Sequence, residues 1–293
     1  MPESAPRLPP LRDVIARHGL SARKSLGQHF LFDLNLTGRI VRAAGRFLPA
    51  PAGDLSLGTV IEIGPGPGGL TRALLGAGTG HLVAIERDPR CLAALADLAA
   101  AYPGRLEVRE ADALALNVAR IGAMPRRIVA NLPYNVSTAL LLRWLGDLAR
   151  DPNCFSGFVL MFQSEVADRL VARPRSKAYG RLSVITQWLC HVRPLFEIPA
   201  RAFTPPPKVS STLVGLRPHP QPLAAADMAT LERVTAAAFG QRRKMLRQSL
   251  KSLGTDTGAL LEAAGVPETA RAEELDVESF CALARALANQ MRT

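Results

Sequence analysis

The run Glu62-Ile63-Gly64-Pro65-Gly66-Pro67-Gly68-Gly69 follows the apolar stretch Thr59-Val60-Ile61 and runs into Leu70–Leu75. A strand that ends in glycines and opens a helix is the first turn of a βαβ unit, because the chain must reverse sharply and pack helix on strand. The alternation continues downstream. His81–Glu86 is a second strand, Cys91–Ala101 a helix, Leu106-Glu107-Val108 a third strand ending near Asp112, and Arg127–Asn131 a fourth. This order predicts a parallel sheet with helices on both faces.

Around that centre the pattern is looser. Residues 1–30 are basic, show no clear period and read as an arm. Leu36, Ile40, Val41, Ala44 and Phe47 space an amphipathic helix over Asn35–Phe47. Phe155–Met161 reads as a fifth strand, with two more at Arg193–Ile198 and Ser211–Leu216. Leu182–Trp188 is apolar enough for a buried helix or a strand, and periodicity does not choose. Prolines from Pro218 to Pro222 break the chain. Beyond them only helices are expected, at Ala226–Ala238, Arg242–Leu253, Thr257–Ala264 and Val277–Ala288. The expected organisation is an α/β, Rossmann-like domain over residues 1–217, its body starting near Leu11, and a small all-helical domain over 218–293.

Composition narrows the partners. Lys and Arg number 36 against 25 Asp and Glu, a net charge of +11 in 293 residues. That excess suits nucleic acid first and an anionic membrane second; a merely solvated Arg-rich surface accounts for it equally well. The N-terminus lacks the apolar core of a signal peptide, and no run of eighteen apolar residues suggests a span, so a cytoplasmic protein is expected. Four scattered cysteines with no Cys-x-x-Cys pair predict small core side chains in a reducing compartment, not a metal site.

Four motifs carry chemistry. The glycines at 64, 66, 68 and 69 let backbone approach a ligand, though an ordinary tight turn looks the same. Glu86 ends the second strand 22 residues past Gly64, where a carboxylate accepts ribose hydroxyls, whether of a nicotinamide cofactor or of S-adenosylmethionine. Asp112 either accepts the cofactor's adenine amine or caps a helix. Asn131-Leu132-Pro133-Tyr134 ends the fourth strand. An adenine amine is a poor nucleophile because its lone pair is delocalised into the ring. The Asn131 side-chain oxygen and the Leu132 carbonyl can hold its N–H groups, Pro133 stiffens the turn, and Tyr134 offers a stacking face.

With these motifs in place, the chain resembles the bacterial small-subunit (16S) rRNA adenine dimethyltransferase family over nearly its whole length. Five further stretches carry the likeness: Arg23–Leu31, Gln163–Leu170, Tyr179–Val184, Phe203–Ser211 and Phe239–Leu246. The resemblance implies that His29, Leu31, Gly64, Glu86, Asp112 and Asn131 contact S-adenosylmethionine, and that Tyr134 and Phe203 sandwich the target adenine. It also implies that two adjacent adenosines near the 3′ end of 16S rRNA, in the small ribosomal subunit or its precursor, each receive two methyls at N6. Two positions depart from the family: His29 stands where Asn is common and Ser164 where Lys is common.

Arg242, Arg243, Lys244 and Arg247, with Lys251, lie at helical spacings on Gln241–Lys251 and form a candidate RNA-phosphate patch; a solvated helix face is the plainer reading. No general base is supplied by the motifs, so catalysis by positioning and polarisation is expected, with the proton passing to solvent. A monomer is expected. Three rivals stand beside this reading: a large-subunit rRNA methyltransferase, a non-catalytic nucleic-acid-binding protein on the same fold, and an NAD dehydrogenase.

Overall fold

The computed structural model describes residues 6–23 and 26–292. Nine strands are present among them: β1 (Phe30–Leu31), β2 (Thr59–Ile63), β3 (Leu82–Glu86), β4 (Leu106–Glu110), β5 (Arg126–Asn131), β6 (Gly157–Gln163), β7 (Cys190–Ile198), β8 (Phe203–Thr204) and β9 (Ser211–Pro218). Seven of them form one sheet in the order β4-β3-β2-β5-β6-β9-β7. The neighbours from β4 to β6 are parallel, and β9 runs antiparallel to β6. The small strands β1 and β8 pair separately, Phe30 opposite Thr204 and Leu31 opposite Phe203.

The helices are α1 (Leu11–Arg17), α2 (Leu34–Phe47), α3 (Gly69–Gly76), α4 (Pro89–Ala101), α5 (Ser137–Arg150), α6 (Ser164–Val171), α7 (Arg181–Leu189), α8 (Met228–Gly240), α9 (Leu246–Ser249), α10 (Thr257–Ala263) and α11 (Val277–Gln290). Local chemistry explains where they start. Asp33 accepts from the Asn35 and Leu36 amides at 2.8 and 3.3 Å and opens α2, whose Thr37, Ile40, Val41 and Ala44 turn inward. Asp88 caps α4, with Pro89 in its first turn.

All five residues of β2 and all five of β3 are buried, as parallel strands covered on both faces require. Between β2 and β5 the strand order reverses. β2 continues through α3 to β3 on one side, while β5 lies on the other. In open α/β sheets the crevice beyond the strand ends at such a switch point is where ligands sit.

Two local expectations are revised and one open reading is settled. The supposedly aperiodic arm contains α1, which buries Leu11 and Val14; seven residues hold too few apolar positions to reveal a period. Leu182–Trp188 belongs to a helix, α7, with Val184, Ile185, Trp188 and Leu189 inside. The expected helix Arg242–Leu253 is not continuous: Gln241–Met245 is turn and bridge, α9 is four residues, and a tighter helical turn runs Leu250–Leu253.

The chain divides into two compact units. Of the described residues, the first holds those up to Asp147, Asn153–Ala167 and Arg193–Arg217; the second holds Leu148–Pro152, Asp168–Val192 and those from Pro218. Within the second unit α7, α8 and α11 pack together, with the Phe239 and Phe280 rings stacked at 5.4 Å and Tyr179 edge-on to Phe239 at 5.9 Å. All four cysteines are buried. Among the described residues no helix is long and apolar enough to cross a membrane, and no group of three or more His, Cys, Asp or Glu could hold a metal ion.

Candidate active site

The glycine turn after β2 is built by backbone constraints. Gly66 has φ +56°, and a Cβ there would come within 2.7 Å of the Phe30 ring. Its amide donates to Glu86 Oε2 at 2.9 Å. At Gly69, the first residue of α3, a Cβ would sit 2.2 Å from the Leu31 carbonyl oxygen, so only glycine lets these backbones meet. One cavity beyond the strand ends of the first unit is lined by His29, Leu31, Gly64, Glu86, Asp112 and Asn131, together with Leu132, Pro133 and Tyr134.

Glu86 is 4% exposed. Burial raises its pKa, opposed by the Asp88, Gly66 and Arg87 amides that bond it. Those three N–H groups lie 2.8–2.9 Å from its oxygens. A carboxylate has about four acceptor positions, so a hydroxyl can still be accommodated. Asp112 Oδ1 accepts from the Leu114 amide at 2.9 Å, and Oδ2 pairs with Arg87 at 3.2 Å. It caps a turn, not a helix, and keeps acceptor capacity towards the cavity.

Asn131 is the last residue of β5. Its Nδ2 donates to the His29 carbonyl at 2.9 Å, which fixes the amide's orientation. No hydrogen bond to Oδ1 is made by the described residues, so the oxygen remains an acceptor. Leu132 is buried, and Pro133 packs against Gly64, where a Cβ would meet the proline ring at 3.3 Å. The Tyr134 hydroxyl bonds Ser211 Oγ at 2.6 Å. Burial raises that phenol's pKa, with Ser211 opposing.

Phe203 is 2% exposed and stands edge-on to Tyr134, with centroids 6.5 Å apart and planes at 69°. The ring stacked on Tyr134 is His29, at 5.1 Å and 30°.

Sequence reasoning missed three contributors. Glu62, inside the glycine motif itself, lines the cavity at 2% exposure, and its Oε2 has no partner among the described residues. Burial, with the charge of Glu86 adding, pushes its pKa up to about 8. An acid in an otherwise apolar strand was a legible signal, since a buried polar group demands a reason. Gln28 donates to Asp88 Oδ2 at 3.0 Å and accepts from the Arg23 amide at 2.9 Å, pinning the N-terminal motif to the end of β3. Within that motif, Lys24 and Ser25 lie outside the described residues. Arg90 first, and Gln28 after it, hold the Asp88 carboxyl down to about 2. Ser211 anchors Tyr134 from a distant strand, which no local pattern announces. Ser164 takes part in a hydroxyl cluster with Ser210 and Thr212 at 3.0 and 3.2 Å.

In the second unit the basic segment is not one cationic face. The Leu246 amide donates to the Ala270 carbonyl at 2.8 Å and Met245 bridges to Arg271, which extends the chain where a helix was expected. Arg242 turns to Glu273 at 2.7 Å and to the Lys177 and Ser176 carbonyls at 2.6 and 3.0 Å. Arg243, Lys244 and Arg247 are exposed.

Residues 19–289 match the family Ribosomal RNA adenine dimethylase. The chain is 67% identical over 282 residues to the Ribosomal RNA small subunit methyltransferase A of Paramagnetospirillum magneticum, covering 96% of this chain and 95% of that one. It is 66% identical over 280 residues to the protein of the same name from Rhodospirillum rubrum, covering 96% and 93%. Among solved structures, a dimethyladenosine transferase from Plasmodium falciparum shares the fold at TM-score 0.73 and 24% identity, covering 90% of this chain and 98% of that one. The 23S rRNA methyltransferase ErmE superposes at TM-score 0.61 and 26% identity, covering 88% and 99%.

Proposed function

The chain belongs to the ribosomal RNA adenine dimethylase family, and from that premise we propose that it uses S-adenosylmethionine to dimethylate N6 of two adjacent adenosines near the 3′ end of 16S rRNA. The observation that carries this reading is the Asn131 side chain, tethered through Nδ2 so that Oδ1 stays an acceptor at the cavity.

The cavity suits the cofactor on its own features: the glycine turn at Gly64 and Gly66 lines it, beside buried Glu86 with acceptor capacity remaining. Glu86 holds the ribose hydroxyls, Asp112 the cofactor's adenine amine, and the backbone at His29, Leu31 and Gly64 the rest. Once bound, S-adenosylmethionine would supply its sulfonium methyl, the S–CH3 bond breaking as the new N–C bond forms and S-adenosylhomocysteine departing. Asn131 Oδ1 and the Leu132 carbonyl take the two N–H groups of the target amine, which turns its lone pair towards the methyl group. Tyr134 stacks the base, and Phe203 buttresses Tyr134 from its edge. Fixed acceptors cost no reorganisation as positive charge develops on the amine. The proton then leaves to solvent. After one transfer the amine keeps a single N–H, which one acceptor still holds, so the same site serves the second.

The protein acts as a cytoplasmic monomer on the small ribosomal subunit or its precursor. Arg243, Lys244 and Arg247 meet RNA phosphates, while Arg242 shapes the segment that presents them. Identities of 66–67% to small-subunit enzymes against 26% to a large-subunit one favour 16S rRNA as substrate. Labelled methyl transfer tests this choice, with small and large subunits from cells lacking both modifications offered separately. Label is expected in the small subunit alone; label confined to the large subunit would overturn the assignment.

A further inference from the structure

In the resting protein the aromatic face proposed to receive the target base already holds a ring. The His29 imidazole lies over Tyr134 at 5.1 Å and 30°, inside the range of offset aromatic stacking. It is also latched. Nδ1 is 2.7 Å from the Pro205 carbonyl oxygen, which can only accept, so Nδ1 carries the hydrogen. A flat ring with an N–H bonded to a carbonyl presents to Tyr134 much of what a purine would present. The main chain at this position has a separate task, since the His29 carbonyl receives Asn131 Nδ2. The side chain can therefore move without withdrawing the backbone bond that orients Asn131. Phe203, edge-on and buried, leaves no parallel second plate against Tyr134 for a base to slip beside.

We propose that the His29 side chain is a placeholder for the target adenine, stacked on Tyr134 and latched to Pro205, which the incoming base must displace. His29 thereby sets how tightly any base is held at Tyr134, while Asn131 and Leu132 decide which base. A base gains Tyr134 only if its own stacking and amine contacts exceed those His29 gives up. Adenine makes both, through its ring and through Asn131 and Leu132; a base without an amine makes only the first. This inference rests on the reading of Tyr134 as the base-stacking face.

The test uses full-length protein saturated with S-adenosylhomocysteine, so that the cofactor site is filled, and adenosine as the probe, followed by ligand-detected NMR. His29→Ala is expected to bind adenosine about tenfold more tightly than wild type, a gain of about 1.4 kcal/mol. His29→Asn keeps a donor for Pro205 but no ring, and is expected to share most of that gain, which separates stacking from the latch. Uridine affinity should rise by the same factor in both variants, because the cost of displacing His29 is common to both nucleosides, and the ratio of the two affinities should stay unchanged. Tyr134→Ala should lose adenosine binding. If Tyr134→Ala loses binding while both His29 variants bind adenosine no better than wild type, the placeholder is refuted and the stacking role of Tyr134 survives. If Tyr134→Ala binds adenosine as wild type does, the stacking reading itself falls and the placeholder with it.

Discussion

The glycine turn beyond β2 and the basic segment after α8 were both read from short sequence patterns, and the structure treats them differently. At the turn, each residue type answers a backbone demand: Gly66 at φ +56° beside Phe30, Gly69 against the Leu31 carbonyl, Glu86 gathering three amides. Such demands admit few alternatives, so pattern and structure agree. Between Gln241 and Lys251 the inference rested on helical spacing of charge. The Leu246–Ala270 backbone bond breaks that spacing, and Arg242 is taken up by Glu273 and two carbonyls. A sequence counts cations; only the fold shows which of them are left for a partner.

The sharpest way to break the contrast is at Asn131. Asn131→Ala should slow single-turnover methylation at saturating cofactor by about 10²–10³, as for loss of one preorganised polar group. Asn131→Asp retains the oxygen and should keep more activity than Ala. Equal rates for the two variants would make Asn131 a structural residue of the turn.

Next in size is the cofactor contact. Removing a charge-assisted acceptor in Glu86→Ala should weaken S-adenosylmethionine binding by about 1–3 kcal/mol, roughly five- to a hundred-and-fiftyfold. Calorimetry measures this, and unchanged affinity would remove Glu86 from the cofactor site.

Glu62 sharpens the picture of a buried, costly floor. Its folded pKa of about 8 stands above the ordinary 4.5. A raised carboxyl favours folding fully below the unfolded value and loses that contribution as pH climbs through the folded one. In the cofactor-free protein, Glu62→Gln should therefore gain in Tm over wild type between pH 4.5 and 8. A gap between the two melting curves that stays constant over that window would contradict the assignment.

The smallest effects separate the cations. Reversing Arg243, Lys244 and Arg247 to Glu should weaken small-subunit binding and lower its salt slope by about one for each phosphate no longer neutralised, with Tm little changed. Arg242→Glu should instead lower Tm, because it sets like charge against Glu273 and strands two carbonyls. If Arg242→Glu melted as wild type does, its bonds would be incidental and the segment would again read as one patch.

The order of strands and helices from Thr59 to Asn131 was legible because the central strands are short unbroken apolar runs and the helices between them are set off by a glycine turn or a capping acid. Most of what escaped was short or non-local. Seven-residue α1 shows no period. The exception is fourteen-residue α5, whose buried Leu140, Leu141, Trp144, Leu145 and Leu148 keep a helical spacing that went unread. The site's strand-end residues were named from sequence, and they line one cavity. His29 over Tyr134, Ser211 behind its hydroxyl and Gln28 on Asp88 depend on contacts between residues 60 to 105 positions apart, which no window of sequence displays.

Everything proposed for this site depends on which atom receives the methyl groups. Purified protein, S-adenosylmethionine and undermethylated small subunits, followed by nuclease digestion and mass spectrometry of the nucleosides, identify it directly. N6-methyladenosine should appear first and convert to N6,N6-dimethyladenosine at two adjacent positions near the 3′ end of 16S rRNA. Methyl groups on a ring nitrogen, on ribose or on a base other than adenine would contradict a site built to hold an adenine amine between Asn131 and Leu132.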